Sequence, residues 1–216
     1  MKGLFIKDFE YLKDSKLLFI FLIVFGLLMS YFNESPYFIL GYFSVFASLL
    51  LAGTMNYDDY NSNLATIFIL PISKRDYIKQ KYLLGLILGS FLTILAILCT
   101  SIIQYILNSS LAFISLDFFI GCFLTLLFSY FIISIYTPVA IKLGSQDSQK
   151  ASILVFCSIF VVGIIIYYGC KLLGIDIFNI IDNLAINYPT ISIVGITCFV
   201  LLSYSFSLKI LNNKEL

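Results

Sequence analysis

Residues 56–82 read NYDDYNSNLATIFILPISKRDYIKQKY, the one extended polar segment set between two strongly apolar blocks. It holds Lys74, Arg75, Lys79 and Lys81, four of the thirteen basic residues, and basic loops resist translocation, so the segment is expected to face the cytoplasm. Asn61, Ser62 or Asn63 opens a short amphipathic helix in which Leu64, Ile67 and Phe68 share one face at i, i+3 and i+4, and Pro71 ends it. Ser73 then caps a second helix with Asp76 at the capping-box position, and this helix runs without a break into the next apolar run. A rigid strut thereby joins a small apolar knob to a bilayer. Such a knob suits docking into a groove on a cytoplasmic partner. A helix lying on lipid headgroups has the same periodicity.

The rest of the chain is membrane-like. Its mean hydropathy is +1.02, with 61% hydrophobic and only 12% charged residues, against about 25% charged in soluble domains. The 216 residues leave room for about six helices of roughly 20 residues. Cys99, Cys122, Cys157, Cys170 and Cys198 stand singly in apolar runs, without the close spacings of metal or redox sites, and read as packing residues. There is no histidine, which removes imidazole ligands and histidine-based catalysis. No catalytic residue, metal site or nucleic-acid partner is expected. Nor does the first apolar run read as a cleavable signal, because Asp8, Glu10 and Asp14 are mixed with the leading lysines.

Residues 1–16 carry Phe5, Phe9 and Leu12 at i, i+4 and i+7 with Leu4 and Ile6 alongside, the pattern of an amphipathic helix along the interface. Six spans follow, at about 17–33, 36–57, 82–107, 118–141, 151–170 and 190–208, with the polar loop 58–81 between the second and third. Asn33, Glu34, Ser35 and Pro36 form an outer turn without a basic residue, and residues 108–117 form an outer segment that dips toward the interface. Every Lys or Arg except Lys171 falls on one side of this arrangement, so both termini are expected in the cytoplasm. The spans themselves carry no charged side chain in this reading. Gly85, Gly89, Thr93, Ala96, Thr100 and Gln104 form one stripe along the third span, which permits close helix approach or lines a polar path.

With the polar loop placed, Leu70-Pro71-Ile72-Ser73-Lys74-Arg75 followed by Tyr77, Lys81 and Tyr82 resembles the L-P-[IV]-[ST]-R-x-x-[YF]-[VI]-x-x-K-[YF] segment of bacterial ABC exporter permeases of the type-2 (ABC-2) class. The small permeases of peptide-toxin (phenol-soluble modulin) and lantibiotic-immunity exporters look most similar. Lys74 stands where arginine is usual. Met1-Lys2-Gly3-Leu4 with Lys7-Asp8 is similar to the opening of these proteins, and Pro138, Lys142 and Gly144 resemble their second inner loop.

The resemblance implies an all-α membrane protein of six transmembrane helices, with an N-terminal amphipathic elbow helix at 1–16 and a cytoplasmic coupling helix at Asn63 to Leu70. It implies that a separate ATP-binding cassette ATPase, carrying the ATP and magnesium, docks on that helix. Asn63, Leu64, Ile67, Phe68, Leu70, Pro71 and Arg75 would form the contact. Gly144, Gln146 and Asp147 would give an auxiliary contact or a plain solvated turn. A second permease subunit, the same or related, would complete the path for an amphipathic cargo in a bacterial cell membrane.

Three other functions were weighed. A six-span substrate-binding component of a vitamin importer has a similar size, but needs a polar outer pocket where this chain offers Phe, Ile and Leu. An ion-coupled transporter needs charges at membrane depth. An intramembrane enzyme needs a nucleophile with its base. The chain has no P-loop GxxxxGK[ST] and does not hydrolyse ATP alone.

Overall fold

The computed structural model describes residues 2–32, 37–59, 67–69, 72–108, 116–144, 148–174 and 188–213. The turn at Asn33 to Pro36, the opening of the knob from Asn61 through Leu64, Leu70, Pro71, and the outer segment after Asn108 lie outside these residues. Among the described residues there are helices and no strand: α1 (Lys2–Asp14), α2 (Lys16–Phe32), α3 (Tyr37–Asp59), α4 (Lys74–Asn108), α5 (Leu116–Leu143), α6 (Ser148–Leu172) and α7 (Pro189–Asn213). Residues 67–69 are also helical.

Five of these, α3 to α7, are long and apolar enough to cross a membrane, and α2 contributes a shorter apolar helix, Lys16–Met29. The pattern of burial agrees. Helices α3, α4 and α5 pack on one another around Phe43, Leu51, Leu84, Ile133 and Tyr136, while α6 and α7 cover α5 and present large apolar side chains outward. Phe160 and Leu202 are each 70% exposed, with Ile165, Val194 and Leu201 beside them on the same two helices. Apolar surface on that scale is untenable in water and is the ordinary outer surface of a helical protein in lipid. The chain is an integral membrane protein.

Helix α4 is the long member. Its 35 residues extend about 52 Å, well beyond a hydrocarbon core of about 30 Å, so its foot stands in the polar zone. Ser73 accepts from the Asp76 N–H at 3.1 Å and donates its own proton to Asp76 Oδ2 at 2.7 Å, closing the start of the helix. The small-residue stripe of α4 faces its neighbours. A Cβ on Gly85 would lie 2.8 Å from Ile133 Cγ2 and 3.0 Å from Leu51 Cδ2, and one on Gly89 would lie 3.1 Å from Ser129 Oγ. Thr93 and Thr100 are buried, and their hydroxyls bond back to the carbonyls of Gly89 and Ala96. Within one chain this stripe is a packing seam, and the side chain of Gln104 lies outside the described residues. Gly85→Leu is therefore expected to wedge α4 from α3 and α5 and to lower stability by about 1–3 kcal/mol, read as thermal unfolding in detergent, whereas Leu83→Ala on the outward face changes little.

The inward face of α1 is Leu4, Asp8 and Leu12, while Phe9 and Ile6 turn outward. An acid thus occupies the middle of the buried stripe, because Lys81 of α4 supplies its nearest counter-charge. Asp58 closes the candidate span Phe38–Asp58 and Lys81 lies within Lys74–Ile103, both buried, and each stands one residue outside the expected spans 36–57 and 82–107.

Candidate functional site

The foot of α4 is a joint at which most of the bundle meets. Lys81 sends its ammonium to Asp8 Oδ2 of α1 at 2.7 Å and to Asp58 Oδ2 of α3 at 2.6 Å, and its third donor direction reaches Thr54 Oγ1 at 3.3 Å. The side chains of Lys81 and Asp58 are 0% exposed and that of Asp8 is 1% exposed. Lys7 completes the cluster, bonding Asp58 and standing 3.6 Å from Asp8 Oδ1, with its own side chain part exposed. Two cations face two anions. That balance is what allows Lys81, Asp8 and Asp58 to sit away from water, with Lys7 at the edge.

Neutral groups extend the cluster. Gln80 Nε2 donates to Asp8 Oδ2 at 2.6 Å, and the Tyr77 hydroxyl donates to Asp58 Oδ2 at 3.1 Å. Successive turns of one α4 face therefore supply Tyr77 and Lys81, four residues apart, and the Lys81 ammonium lies 5.6 Å from the Tyr77 ring. The other side of Tyr77 carries the knob. Phe68 meets it edge-on with ring centroids 5.8 Å apart.

Two of the residues expected to contact a partner, Ile67 and Phe68, fall among the described residues of the knob. Ile67 is 9% exposed and Phe68 packs against the core cluster, so both are turned onto the chain's own body. Among the described residues of the knob, the outward side chain is Ile69, 81% exposed. The reason is steric and local: Tyr77 provides an aromatic face that Phe68 covers, leaving the next residue outside. Arg75 is exposed on the same foot.

Two further ties fasten the foot to α7. Lys74 Nζ donates to the Leu211 carbonyl at 2.9 Å, placing a cation on the unsatisfied carbonyl end of that helix. From the residue after Lys81, the Tyr82 hydroxyl lies 2.5 Å from Ser203 Oγ and 3.0 Å from Ser207 Oγ. Ser203 gives its single proton to the Ser134 carbonyl of α5. Tyr82 must then donate to Ser203 and accept from Ser207. The Ser134 carbonyl is free for this because Pro138, four residues on inside α5, has no N–H to offer it. Pro138 is thus compensated by a hydroxyl from another helix.

Gly144, expected near a second contact, ends α5: its φ is +74°, and its N–H bonds the Ala140 carbonyl at 2.9 Å. Gln146 and Asp147 lie outside the described residues.

Among the described residues no group of His, Cys, Asp and Glu is arranged to hold a metal ion, and the ties of the cluster run between helices, with Asp8 Oδ1 and Gln80 Oε1 buried without a hydrogen-bond partner. The sequence carries part of this joint: the basic foot of α4 is a local signal, whereas nothing within a turn or two of Asp58 or Gln80 points to it. Comparison with curated proteins and with solved structures finds no match. Residues 3–212 match the family described as ABC-2 family transporter protein, and the chain belongs to that family as the membrane-spanning permease component of an ABC transporter.

Proposed function

We propose that the chain is the path-forming subunit of an ATP-driven exporter in a bacterial cytoplasmic membrane. In this reading it has six spans, α2 being the first, and both termini are cytoplasmic. It pairs with a second permease subunit, the same or related. A separate ATPase supplies ATP and magnesium chemistry. The cargo is amphipathic: a peptide toxin, an antimicrobial peptide or a lipophilic compound, as suits walls rich in Phe, Ile and Leu. ABC-2 membership leaves no support for the vitamin-importer alternative.

The observation that carries the reading is the unbroken helix from Lys74 to Asn108, with an apolar knob at its foot and that foot locked to α1, α3 and α7. A push on the knob at Ile69 passes through Phe68 and Tyr77 to the buried ions, and the length of α4 carries it into the bundle. Such a lever converts closure of a partner on one side of a membrane into helix displacement within it. The test is cross-linking. Ile69→Cys, on a background with the five native cysteines replaced by serine or alanine, is expected to cross-link to the separate ATP-binding subunit. Leu202→Cys, on the outer face of α7, is expected not to. Equal yields at both positions, or none at Ile69, would remove the proposed contact.

A further inference from the structure

A cleft of about 550 Å³ opens between α1, the start of α2 and the outer side of α4. It is lined by Phe9 and Leu12 of α1, Phe19 of α2, and Leu88 and Phe91 of α4. Its volume falls in the usual range for small-molecule sites, about 300–1,000 Å³. Almost all of the lining is apolar, and its polar features are Lys13 and Lys16, one at the end of each of the two helices that form its wall. Both lysines are exposed, and neither makes an ion pair among the described residues. Glu10 and Asp14, the acids nearest in sequence, do not line the cleft.

We propose that this cleft binds an anionic phospholipid, with the acyl chain against Phe19, Leu88 and Phe91 and the phosphate on Lys13 and Lys16. The proposal rests on the membrane-spanning reading of α2 and α4. Charge selects the ligand: an apolar floor accepts any chain, but two unpaired ammonium groups at its edge discriminate for a negative head. Continuity selects a lipid over other amphiphiles. Ile20, Ile87 and Phe91 are exposed on the outward faces of α2 and α4, so the floor of the cleft merges with surface that faces hydrocarbon. The lysine stems extend along that surface and place their charges at headgroup level. A lipid held there would wedge α1 against α4 immediately beside the buried ion cluster, since Leu12 and Asp8 occupy the same face of α1. Headgroup charge would thus bear directly on the joint.

The full-length protein in detergent is titrated with phosphatidylglycerol and, separately, with phosphatidylcholine of identical chains, and bound lipid is counted by native mass spectrometry. The first phosphatidylglycerol is expected to bind at least tenfold more tightly than phosphatidylcholine. Lys13→Gln with Lys16→Gln is expected to weaken phosphatidylglycerol about thirty-fold, at about fivefold per lost cation, and to leave phosphatidylcholine unchanged. Phe9→Ser, an exposed wall residue, is expected to weaken both lipids. Equal affinity for the two lipids, or a double variant that binds like the parent, overturns the proposal. So does a double variant whose only change is in subunit association, which would mark the cleft as a contact with a second copy. A chain that fails to fractionate with membranes would instead refute the spanning reading itself.

Discussion

Lys81→Met is expected to be among the most damaging single substitutions in this chain, although it exchanges one long side chain for another of similar volume. The parent ammonium holds Asp8 at 2.7 Å and Asp58 at 2.6 Å with no solvent access. Removing it leaves two buried carboxylates with only Lys7 between them, and Lys7 is itself 31% exposed. Stranding a buried charge in this way costs about 3–5 kcal/mol, a large share of a total stability of about 5–15 kcal/mol. Membrane-integrated, folded protein should fall severalfold, and the remainder should unfold at a clearly lower temperature in detergent.

The charge origin of that loss is tested by removing the stranded anions as well. Lys81→Met with Asp8→Asn and Asp58→Asn leaves no buried charge stranded, since the remaining cation, Lys7, is 31% exposed and can turn to water, and is expected to recover most of the lost stability. Lys7→Met alone should cost about 1 kcal/mol or less, because Asp58 keeps Lys81 and the lost pair is partly screened. If the single Lys81 variant unfolds like the parent, or the triple variant is no better than the single, the cluster does not hold the joint together.

Why this cluster escaped the sequence, when its neighbours did not, follows from the range of the signals. The start of α4 at Ser73 and its continuity into the membrane depend on residues within one or two turns, and the ABC-2 resemblance itself rested on that local motif. The stripe of Gly85, Gly89, Thr93 and Thr100 is likewise a repeat along one helix. Periodicity reports which residues share a face but not what the face meets. Asp8 lies 73 positions from Lys81, and Thr54 lies 27 from it. The one local clue was that Asp8 sits midway between Leu4 and Leu12, four residues from each, in the centre of a buried stripe. An acid at such a position requires a partner, and the basic foot of α4 was the nearest supply.

The same ambiguity governed the knob. Leu64, Ile67 and Phe68 were legible as one apolar face, but an apolar face serves equally well to meet a partner or the chain's own core. Tyr77 decided between them for Phe68, through a contact nine residues along that no helical repeat encodes. Ser203 over the carbonyl freed by Pro138 is a third case: the need was visible in the proline, and the donor came from a helix 69 positions from the acceptor.

Ile69→Asp is expected to abolish recovery of the ATPase while leaving the permease folded, and the contrast with Phe68 gives the experiment its force. Ile69 is 81% exposed, so an aspartate there removes little packing and leaves the isolated subunit near its parent stability. Against a partner's apolar groove the same carboxylate must be desolvated without a counter-charge, which costs several kcal/mol, and each 1.4 kcal/mol is tenfold in affinity. Copurified ATPase should therefore fall by at least tenfold, and ATP-dependent transport with it. Phe68→Ala acts from the other side. It strips the edge-on contact from Tyr77 and loosens the knob from the ion cluster, so it is expected to lower thermal stability and to reduce coupling while retaining part of the ATPase. A docking tip and an internal hinge thus give opposite profiles: binding lost with stability kept at Ile69, stability lost with binding partly kept at Phe68. Undiminished ATPase recovery with Ile69→Asp would mean that force enters the bundle elsewhere, and the lever built on α4 would have no motor at its foot.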